Sequence, residues 1–413
     1  MSAKRWSKGG LAVMALTAGA GCSADDDAGG ADAGAGASPL VERLAVGTAC
    51  GAGASGMELT LQFMTGTSFG ATGLRPTDAI NVGGQSREFG ELVGAESLTF
   101  GESRLEPLAG DAAAEAVTLG ASTLTYTPTG GQPRAADDRL VVLLVDHSGS
   151  LKGQPDPLAP ADRAKASDPT DARIDLLKNI VRRPTIPGDT YFSLIWFGGG
   201  QPTLGSEFGT PTRNRDVLVC PSGDDGVSCQ QDAEMDGLTR LAANEAGGTP
   251  LADALKQTFD LLIDGEPARD LNPVVVLVTD GVEDGDTSLS GATVESEAAR
   301  YAAHTFGGEP SAVPVVVVHL QPSAAAGFAQ GPDPALHALA CATGGEYFFI
   351  PDAAELATAD DLAAQIAARF EGTWRLGIGA DPAPTEPVWL ETELTATVAG
   401  STLTANPRLF ASP

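Results

Sequence analysis

Hydrophobic and polar positions divide the chain into three parts with different periodicities. Residues 40–136 contain short runs in which apolar and polar side chains alternate, as in strands with one buried face. Residues 138–372 instead alternate unbroken apolar runs of strand length with segments of helical spacing, which predicts strands covered by helices on both faces. Residues 373–413 return to the first pattern, with strands predicted near Trp374–Ile378, Val388–Val398 and Thr402–Leu409. We therefore predict an α/β domain, with a doubly wound and mostly parallel Rossmann-like sheet, between two all-β segments.

The two β segments are short for independent domains, because a few strands rarely bury enough apolar surface alone. We predict that residues 40–136 and 373–413 pair into one discontinuous β-sandwich, from which the α/β domain projects. The alternative is two separate small sheets packed against the base of that domain.

One predicted strand, Leu140–Val145, ends in a group of oxygen-bearing side chains. Asp146, Ser148 and Ser150 follow it at every second position, in the sequence Asp-His-Ser-Gly-Ser. With this spacing, one carboxylate and two hydroxyl groups can converge on a single point at the end of the strand.

Oxygen-bearing side chains also lie at the ends of two other predicted elements of the α/β domain. Thr249 follows two glycines and precedes Pro250, which suits the first turn of a helix, where a missing N–H costs least. Asp280 follows a second apolar strand, Val274–Val278. Open α/β sheets bind ligands at the carboxyl ends of their strands, so we expect both residues to lie near Asp146.

This pattern resembles the metal-ion-dependent adhesion site of the von Willebrand factor A domain. The resemblance implies a divalent cation held by five residues, namely Asp146, Ser148, Ser150, Thr249 and Asp280. Hydroxyl and carboxylate oxygens suit Mg²⁺, with Mn²⁺ or Ca²⁺ as alternatives. The resemblance also implies that this cation accepts an Asp or Glu carboxylate from a protein partner. A coincidental strand end in another doubly wound fold is the competing interpretation.

The resemblance covers residues 138–372, with two insertions at 151–170 and 198–236. It is also apparent at Leu336–Ile350, which is similar to the penultimate helix and last strand of the family. The acidic run Asp280–Asp286 lacks the spacing of an EF-hand, so we interpret it as a solvated loop rather than a Ca²⁺ site.

Composition narrows the class of partner and of activity. The formal net charge of -29 excludes nucleic acid, because no basic face can neutralise phosphates. Motifs of serine hydrolases, zinc proteases and phosphate-binding loops are absent from the sequence, and His304, His319 and His337 are isolated. We therefore predict a binding protein and not an enzyme. The alternatives are a structural component of an envelope assembly, with the metal only stabilising the fold, and a metal-assisted hydrolase.

The first residues resemble a bacterial lipoprotein signal. Basic residues precede a short apolar segment, Leu11–Ala20, and Gly19–Cys22 resembles a lipobox in which Cys22 is lipidated after cleavage. Residues 23–39 are small and acidic and are predicted to form a disordered linker. We expect a protein anchored by lipid in the cell envelope, with Ser23 favouring the outer membrane. An ordinary signal peptide ending near residue 22 is the alternative.

Four cysteines remain if Cys22 is lipidated, and an even number in an oxidising compartment suggests disulfides. Cys220 and Cys229 could close a short loop within one insertion. Cys50 with Cys341 then follows only by elimination, and Cys341 could equally be a buried thiol in a helix.

Overall fold

A computed structural model describes the chain over residues 41–51, 56–66, 72–108, 113–129, 138–152, 164–182, 190–198, 212–213, 248–264, 271–281, 290–358 and 360–413. Cys22, the linker at 23–39, and the pair Cys220 and Cys229 lie outside these residues. Within the described ranges, none of the helices is both long enough and apolar enough to cross a membrane.

The first β segment contains strands whose apolar side chains alternate toward one core. On its last strand, for example, Leu119, Leu124 and Tyr126 pack inward while the threonines between them are exposed. The strands are β1 (Arg43–Gly51), β2 (Gly56–Thr65), β3 (Thr72–Gly73), β4 (Ala79–Val82), β5 (Gln85–Glu88), β6 (Leu98–Pro107), β7 (Glu115–Ala116) and β8 (Thr118–Pro128).

The α/β domain follows, with strands and helices in alternation. Its elements are β9 (Arg139–Asp146), α1 (Gly149–Lys152), α2 (Ala172–Arg182), β10 (Thr190–Phe197), β11 (Thr212–Arg213), α3 (Leu251–Thr258), β12 (Asn272–Thr279), α4 (Val294–Ala302), β13 (Thr305–Phe306), β14 (Glu309–Pro310), β15 (Val315–Leu320), α5 (Pro334–Thr343), β16 (Glu346–Ile350) and α6 (Asp360–Ala368). The central sheet has the order β11-β10-β9-β12-β15-β16, and its neighbours are parallel except for the pair of β10 with β11.

Helices cover both faces of this sheet, which explains why β9 and β12 are buried along their whole length. Helices α2 and α6 pack against one face through residues such as Leu177 and Ile366. Helices α3, α4 and α5 pack against the other through Leu255, Tyr301 and Leu339. The predicted doubly wound, mostly parallel sheet is confirmed.

The last β segment contains β17 (Gly372–Asp381), β18 (Val388–Val398), β19 (Ser401–Ala405) and β20 (Arg408–Ala411). The single strand expected over Thr402–Leu409 is wrong, because Asn406 and Pro407 separate β19 from β20. Both short strands pair with β18, at different points along its length. Proline has no N–H to donate to a sheet, which accounts for a break at this position.

Strands from the two β segments are interleaved in one sheet. Its order is β7-β6-β18-β20-β1-β2-β17-β8, in which β17 lies between β2 and β8, and β18 lies next to β6. Apolar side chains from both segments form a single core that includes Leu61, Leu105, Trp374 and Leu390. The two β segments therefore share one sheet and one core, and the α/β domain is an insertion between β8 and β17.

The β sheet contacts the α/β domain along β1 and β16, a contact we call the junction. The backbone N–H of Tyr347 donates to the hydroxyl of Thr48 at 2.5 Å, and the hydroxyl of Thr60 donates to Glu346 at 2.8 Å. A disulfide joins Cys50 of β1 to Cys341 of α5, so the pairing that the sequence left open is present.

Candidate metal centre

The chain turns sharply where β9 ends, and this turn groups the first three predicted ligands. One carboxylate oxygen of Asp146 accepts the backbone N–H of Ser148 at 2.8 Å. The hydroxyl oxygens of Ser148 and Ser150 are 2.9 Å apart, at the start of α1. The aspartate and Ser148 are buried, while Ser150 is partly exposed. The alternating pattern therefore does bring the three side chains together.

A glycine at the end of the neighbouring strand gives this turn its space. The backbone N–H of His147 donates to the carbonyl of Phe197 at 2.7 Å, which holds the turn against the end of β10. A Cβ atom on Gly198 would lie 2.6 Å from the carbonyl oxygen of His147, closer than real contacts allow. In the sequence, Gly198 is only the first residue of a predicted insertion, although its position directly after an apolar strand was a signal.

Asp280 lies at the carboxyl end of β12, next to β9 in the sheet. The hydroxyl of Thr279, the residue before Asp280, donates to Asp146 at 2.7 Å. Both carboxylates are fully buried. Burial and the nearby negative charge of Asp280, in that order, raise the pKa of Asp146 to about 7. Two buried carboxylates this close repel each other unless a proton or a cation lies between them.

Ser167 is a site residue that the sequence analysis missed. Its hydroxyl donates to Asp280 at 2.9 Å, and its backbone N–H donates to the carbonyl of Ser150 at 3.0 Å. The next residue, Asp168, caps α2 by accepting the backbone N–H of Ala172 at 2.8 Å. The predicted insertion at 151–170 therefore ends in a segment that closes the site. No local signal marked Ser167; Asp168 indicated only that a turn precedes the helix, because aspartate favours turns.

Thr249 is the ligand position furthest from β9 in sequence, and helix α3 determines where it lies. The residue is buried, and its carbonyl accepts the backbone N–H of Leu251 at 2.9 Å. Leu251 and Leu255 pack α3 against Ile195 and Leu144 of the central sheet. The residue thus precedes a helix that is fixed on β9 and β10, the two strands next to the aspartate and serine cluster.

His319 also lies against the site, although the sequence suggested no role for it. One ring nitrogen, Nε2, is 3.3 Å from the carbonyl oxygen of Asp280, and Nδ1 is 2.6 Å from the hydroxyl of Tyr347. The ring is buried, and this burial lowers the pKa of His319 to about 4. It contacts the backbone of Asp280 and not the carboxylate, so it is not a ligand.

These residues fit a hard divalent cation. The donors are two carboxylates and three hydroxyl groups, and the mutual repulsion of the buried acids is the kind of electrostatic strain that a cation relieves. A second cluster among the described residues, Cys50, His337 and Cys341, has its ligand atoms within 4.8 Å of one another. Its two sulfurs form a disulfide and so supply no thiolate ligand.

Comparison with known proteins gives structural similarities only. No protein-family model matches the sequence, and no curated protein matches it. The ArnB paralog VWA2 of Sulfolobus acidocaldarius is 11% identical, with a TM-score of 0.32, over 77% of this chain and 76% of that one. A von Willebrand factor type A protein of Catenulispora acidiphila is 14% identical, with a TM-score of 0.34, over 76% and 73%.

The manganese-loaded TRAP protein of Plasmodium vivax is 15% identical, with a TM-score of 0.28, over 68% of this chain and 97% of that one. Similarities with TM-scores of 0.34 or lower do not bear on function. The α/β segment has a doubly wound, mostly parallel sheet with acids and clustered hydroxyls at its carboxyl edge, as the resemblance to von Willebrand factor A domains implied.

Proposed function

We propose that the protein binds a divalent cation, Mg²⁺ in the cell, and through it an Asp or Glu carboxylate of a protein partner. The proposed ligands are the predicted five, Asp146, Ser148, Ser150, Thr249 and Asp280. The observation that carries the proposal is the pair of fully buried, mutually repelling carboxylates beside clustered hydroxyl groups at the carboxyl edge of the sheet.

The chemistry of the ligands favours an outside carboxylate. Mg²⁺ takes about six oxygen ligands at roughly 2.0–2.1 Å and readily keeps some waters. Hydroxyl oxygens carry less charge than carboxylates, so a cation bound directly by Ser148, Ser150 and Thr249, with the acids acting in part through bound water, retains affinity for an added anion. We propose that the hydroxyls and carboxylates of this site serve as metal ligands, and that the protein binds its partner without catalysis.

Calorimetric titration of Mg²⁺ and of Mn²⁺ into the full chain tests the metal site. We expect one cation per chain, and no binding by Ser148→Ala/Ser150→Ala. Ser103→Ala/Thr392→Val is a matched control, because it removes another buried hydroxyl pair, 2.7 Å apart, in the β sheet. Loss of binding in the control as well, or retention in the test variant, would contradict the assignment.

The carboxylate step is tested with acetate as the probe. Mn²⁺ bound to the full chain relaxes water protons through its coordinated water, and we expect acetate to lower this relaxivity as it displaces that water. Acetamide has the same shape without the charge and should have little effect. Equal effects of the two molecules, or none from acetate, would show that the bound cation does not select carboxylates.

We also propose that Cys22 carries a lipid that anchors the protein in the cell envelope, on the outer membrane. The support is the sequence of residues 1–23 alone. Growth with radiolabelled palmitate should label the wild type but not Cys22→Ser. Equal labelling of both proteins, or of neither, would leave an ordinary signal peptide as the explanation.

A further inference from the structure

A chain of hydrogen bonds leads from the backbone of Asp280 into the interior of the α/β domain. The Asp280 carbonyl lies 3.3 Å from Nε2 of His319, and the other ring nitrogen lies 2.6 Å from the Tyr347 hydroxyl. That hydroxyl accepts the backbone N–H of Asp333 at 3.0 Å. Asp333 caps α5 by accepting the backbone N–H of Ala335 at 2.7 Å. The chain thus runs from the proposed metal site to the start of a helix.

The donors and acceptors in this chain determine the proton positions. A carbonyl can only accept, so Nε2 of His319 carries the proton in its bond to Asp280. In a neutral imidazole, Nδ1 is then an acceptor, and the Tyr347 hydroxyl donates to it while accepting from Asp333. Every donor has one acceptor in this arrangement, so the ring has one tautomer and one orientation.

Close packing at Gly281 holds the Asp280 peptide against the ring. Gly281 has φ of 73°, in the left-handed region. A Cβ atom there would lie 2.7 Å from Nε2 of His319 and 3.2 Å from a methyl group of Leu336. Glycine therefore lets the chain turn while the Asp280 carbonyl still faces the imidazole, and the direction of that carbonyl restricts the adjacent Asp280 side chain.

Tyr347 is itself fixed from the β sheet. Its backbone N–H donates to the Thr48 hydroxyl at 2.5 Å, and this hydroxyl is 3.3 Å from the Tyr347 carbonyl. Thr48 also donates its own N–H to the Thr60 hydroxyl at 2.8 Å. The tyrosine is thus held at its backbone by the junction and at its hydroxyl by His319 and Asp333.

We propose that His319, oriented by Tyr347, is a positioning residue for the metal site. It holds the Asp280 peptide so that the carboxylate faces the cation, and it does so without contacting the cation. This inference rests on the proposed function, because it concerns the geometry of the same site. It extends that function by connecting the metal site, through two side chains, to the junction with the β sheet.

Three variants separate the parts of this chain. His319→Leu removes both bonds of the ring, and we expect Mg²⁺ affinity to fall about 10-fold, as for other residues that orient metal ligands. His319→Gln keeps an N–H donor near the Nε2 position and should recover part of the loss. Tyr347→Phe removes one oxygen, leaves the ring in place, and should weaken Mg²⁺ binding less than His319→Leu does.

His304→Leu is the matched control for a general effect of replacing a histidine. His304 also bonds to a backbone carbonyl, that of Ser311 at 2.7 Å, but lies beside Phe259 and away from the site. We expect it to bind Mg²⁺ like the wild type. If His319→Leu does not fold, Tyr347→Phe decides the question, and wild-type affinity in Tyr347→Phe would then overturn the proposal.

Calorimetry also separates a failure of the positioning role of His319 from a failure of the proposed metal site itself. Mg²⁺ binding that is lost in Ser148→Ala/Ser150→Ala but unchanged in folded His319→Leu would overturn the positioning role alone. Absence of binding in the wild type would overturn both. A readout independent of metal is the nitrogen-15 spectrum of the His319 ring, which should show a proton on Nε2. A proton on Nδ1 in its place would contradict the chain.

Discussion

The two ends of the parallel sheet both bury carboxylates, but they stabilise them in different ways. At the amino end, Glu346 pairs with the guanidinium of Arg369 and accepts the Thr60 hydroxyl at 2.8 Å. At the carboxyl end, Asp146 accepts a backbone N–H from Ser148 and the hydroxyl of Thr279, and the next strand places a second acid beside it. The first acid has a cation of its own, whereas the second faces another anion.

The acid at the amino end therefore has a structural role, whereas the acids at the carboxyl end would be stabilised by a bound cation. Burial raises the pKa of Glu346 and lowers that of Arg369, so each charge at the junction depends on the other. Arg369 also donates to the carbonyl of Leu61 at 2.8 Å, which extends the pair into the β sheet. At the carboxyl end, burial and repulsion act in the same direction on Asp146, and a proton or a bound cation would relieve them.

Replacing a buried acid by its amide should therefore change the free energy of unfolding in opposite directions at the two ends of the sheet. The largest change is expected at the junction. Glu346→Gln leaves Arg369 buried without its partner, and we expect a loss of about 3–5 kcal/mol in the free energy of unfolding. Chemical denaturation measures it. Glu391→Gln, which breaks exposed pairs with Arg104 and Arg408, should cost about 1 kcal/mol or less. Similar losses of unfolding free energy in the two variants would show that the buried pair at the junction stabilises the fold no more than the exposed pairs do.

The disulfide at the junction should have the next largest effect. Cys50 and Cys341 are 291 residues apart, so their bond removes many conformations from the unfolded chain. We expect Cys50→Ser/Cys341→Ser to lose about 2–4 kcal/mol in denaturation experiments. The contacts from Thr48 through Tyr347 to His319 do not include the disulfide, so Mg²⁺ affinity should change little. A large fall in Mg²⁺ affinity of the folded double variant would show that the proposed metal site depends on the disulfide.

At the metal site, the corresponding amide should stabilise the metal-free protein. The pKa of Asp146, about 7 when folded, lies above its unfolded value near 3.8, so the folded state binds more protons between these values. The free energy of unfolding therefore falls as pH rises through this window. Asp146→Asn should gain roughly 1–3 kcal/mol at pH 8 without metal, and nothing at pH 4.

The same variant should lose the stabilisation that Mg²⁺ gives the wild type. A ligand at 100 times its dissociation constant stabilises the folded state by about 2.7 kcal/mol. Thermal unfolding with and without Mg²⁺ at pH 8 measures both effects on one protein. If Asp146→Asn destabilises the metal-free protein as Glu346→Gln does, then Asp146 is a structural acid and the comparison fails.

Local sequence patterns determine how much of this molecule could be predicted. Asp146, Ser148 and Ser150 follow one strand within five positions, so their spacing alone places them together. The doubly wound sheet was also predictable, because its strands are unbroken apolar runs and its helices have one apolar face. The break between β19 and β20 was missed although Asn406 and Pro407, visible in the sequence, are residues that interrupt strands.

The missed site residues depend on contacts between distant parts of the chain. Ser167 reaches Asp280 across 113 positions, and its own neighbourhood is rich in proline and aspartate, which indicates only a loop. His319 lies in a strand of valines, where a lone histidine more often completes a core than supports a site. Its role depends on Tyr347 and Gly281, which no local pattern connects to it.

The smallest expected effect is a loss of stability at low pH. Here the junction should again differ from the proposed metal site. His337 is buried beside the disulfide, and its Nε2 lies 3.0 Å from the carbonyl oxygen of Ala49. Burial lowers the pKa of His337 to about 4. Because the unfolded value is near 6.5, the unfolded state binds more protons between pH 4 and 6.5, and stability is lost as pH falls through this window.

Wild type and His337→Gln should therefore respond differently to acid. Between pH 7 and pH 5 we expect the wild type to lose about 1 kcal/mol more than His337→Gln in the free energy of unfolding, measured with urea. His319 titrates in the same direction and contributes equally to both proteins, so the difference isolates His337. Parallel pH profiles would mean that His337 has the same pKa in the folded and unfolded states. Acid would then not weaken the junction through His337, whereas protonation of Asp146 would still stabilise the metal-free site as pH falls.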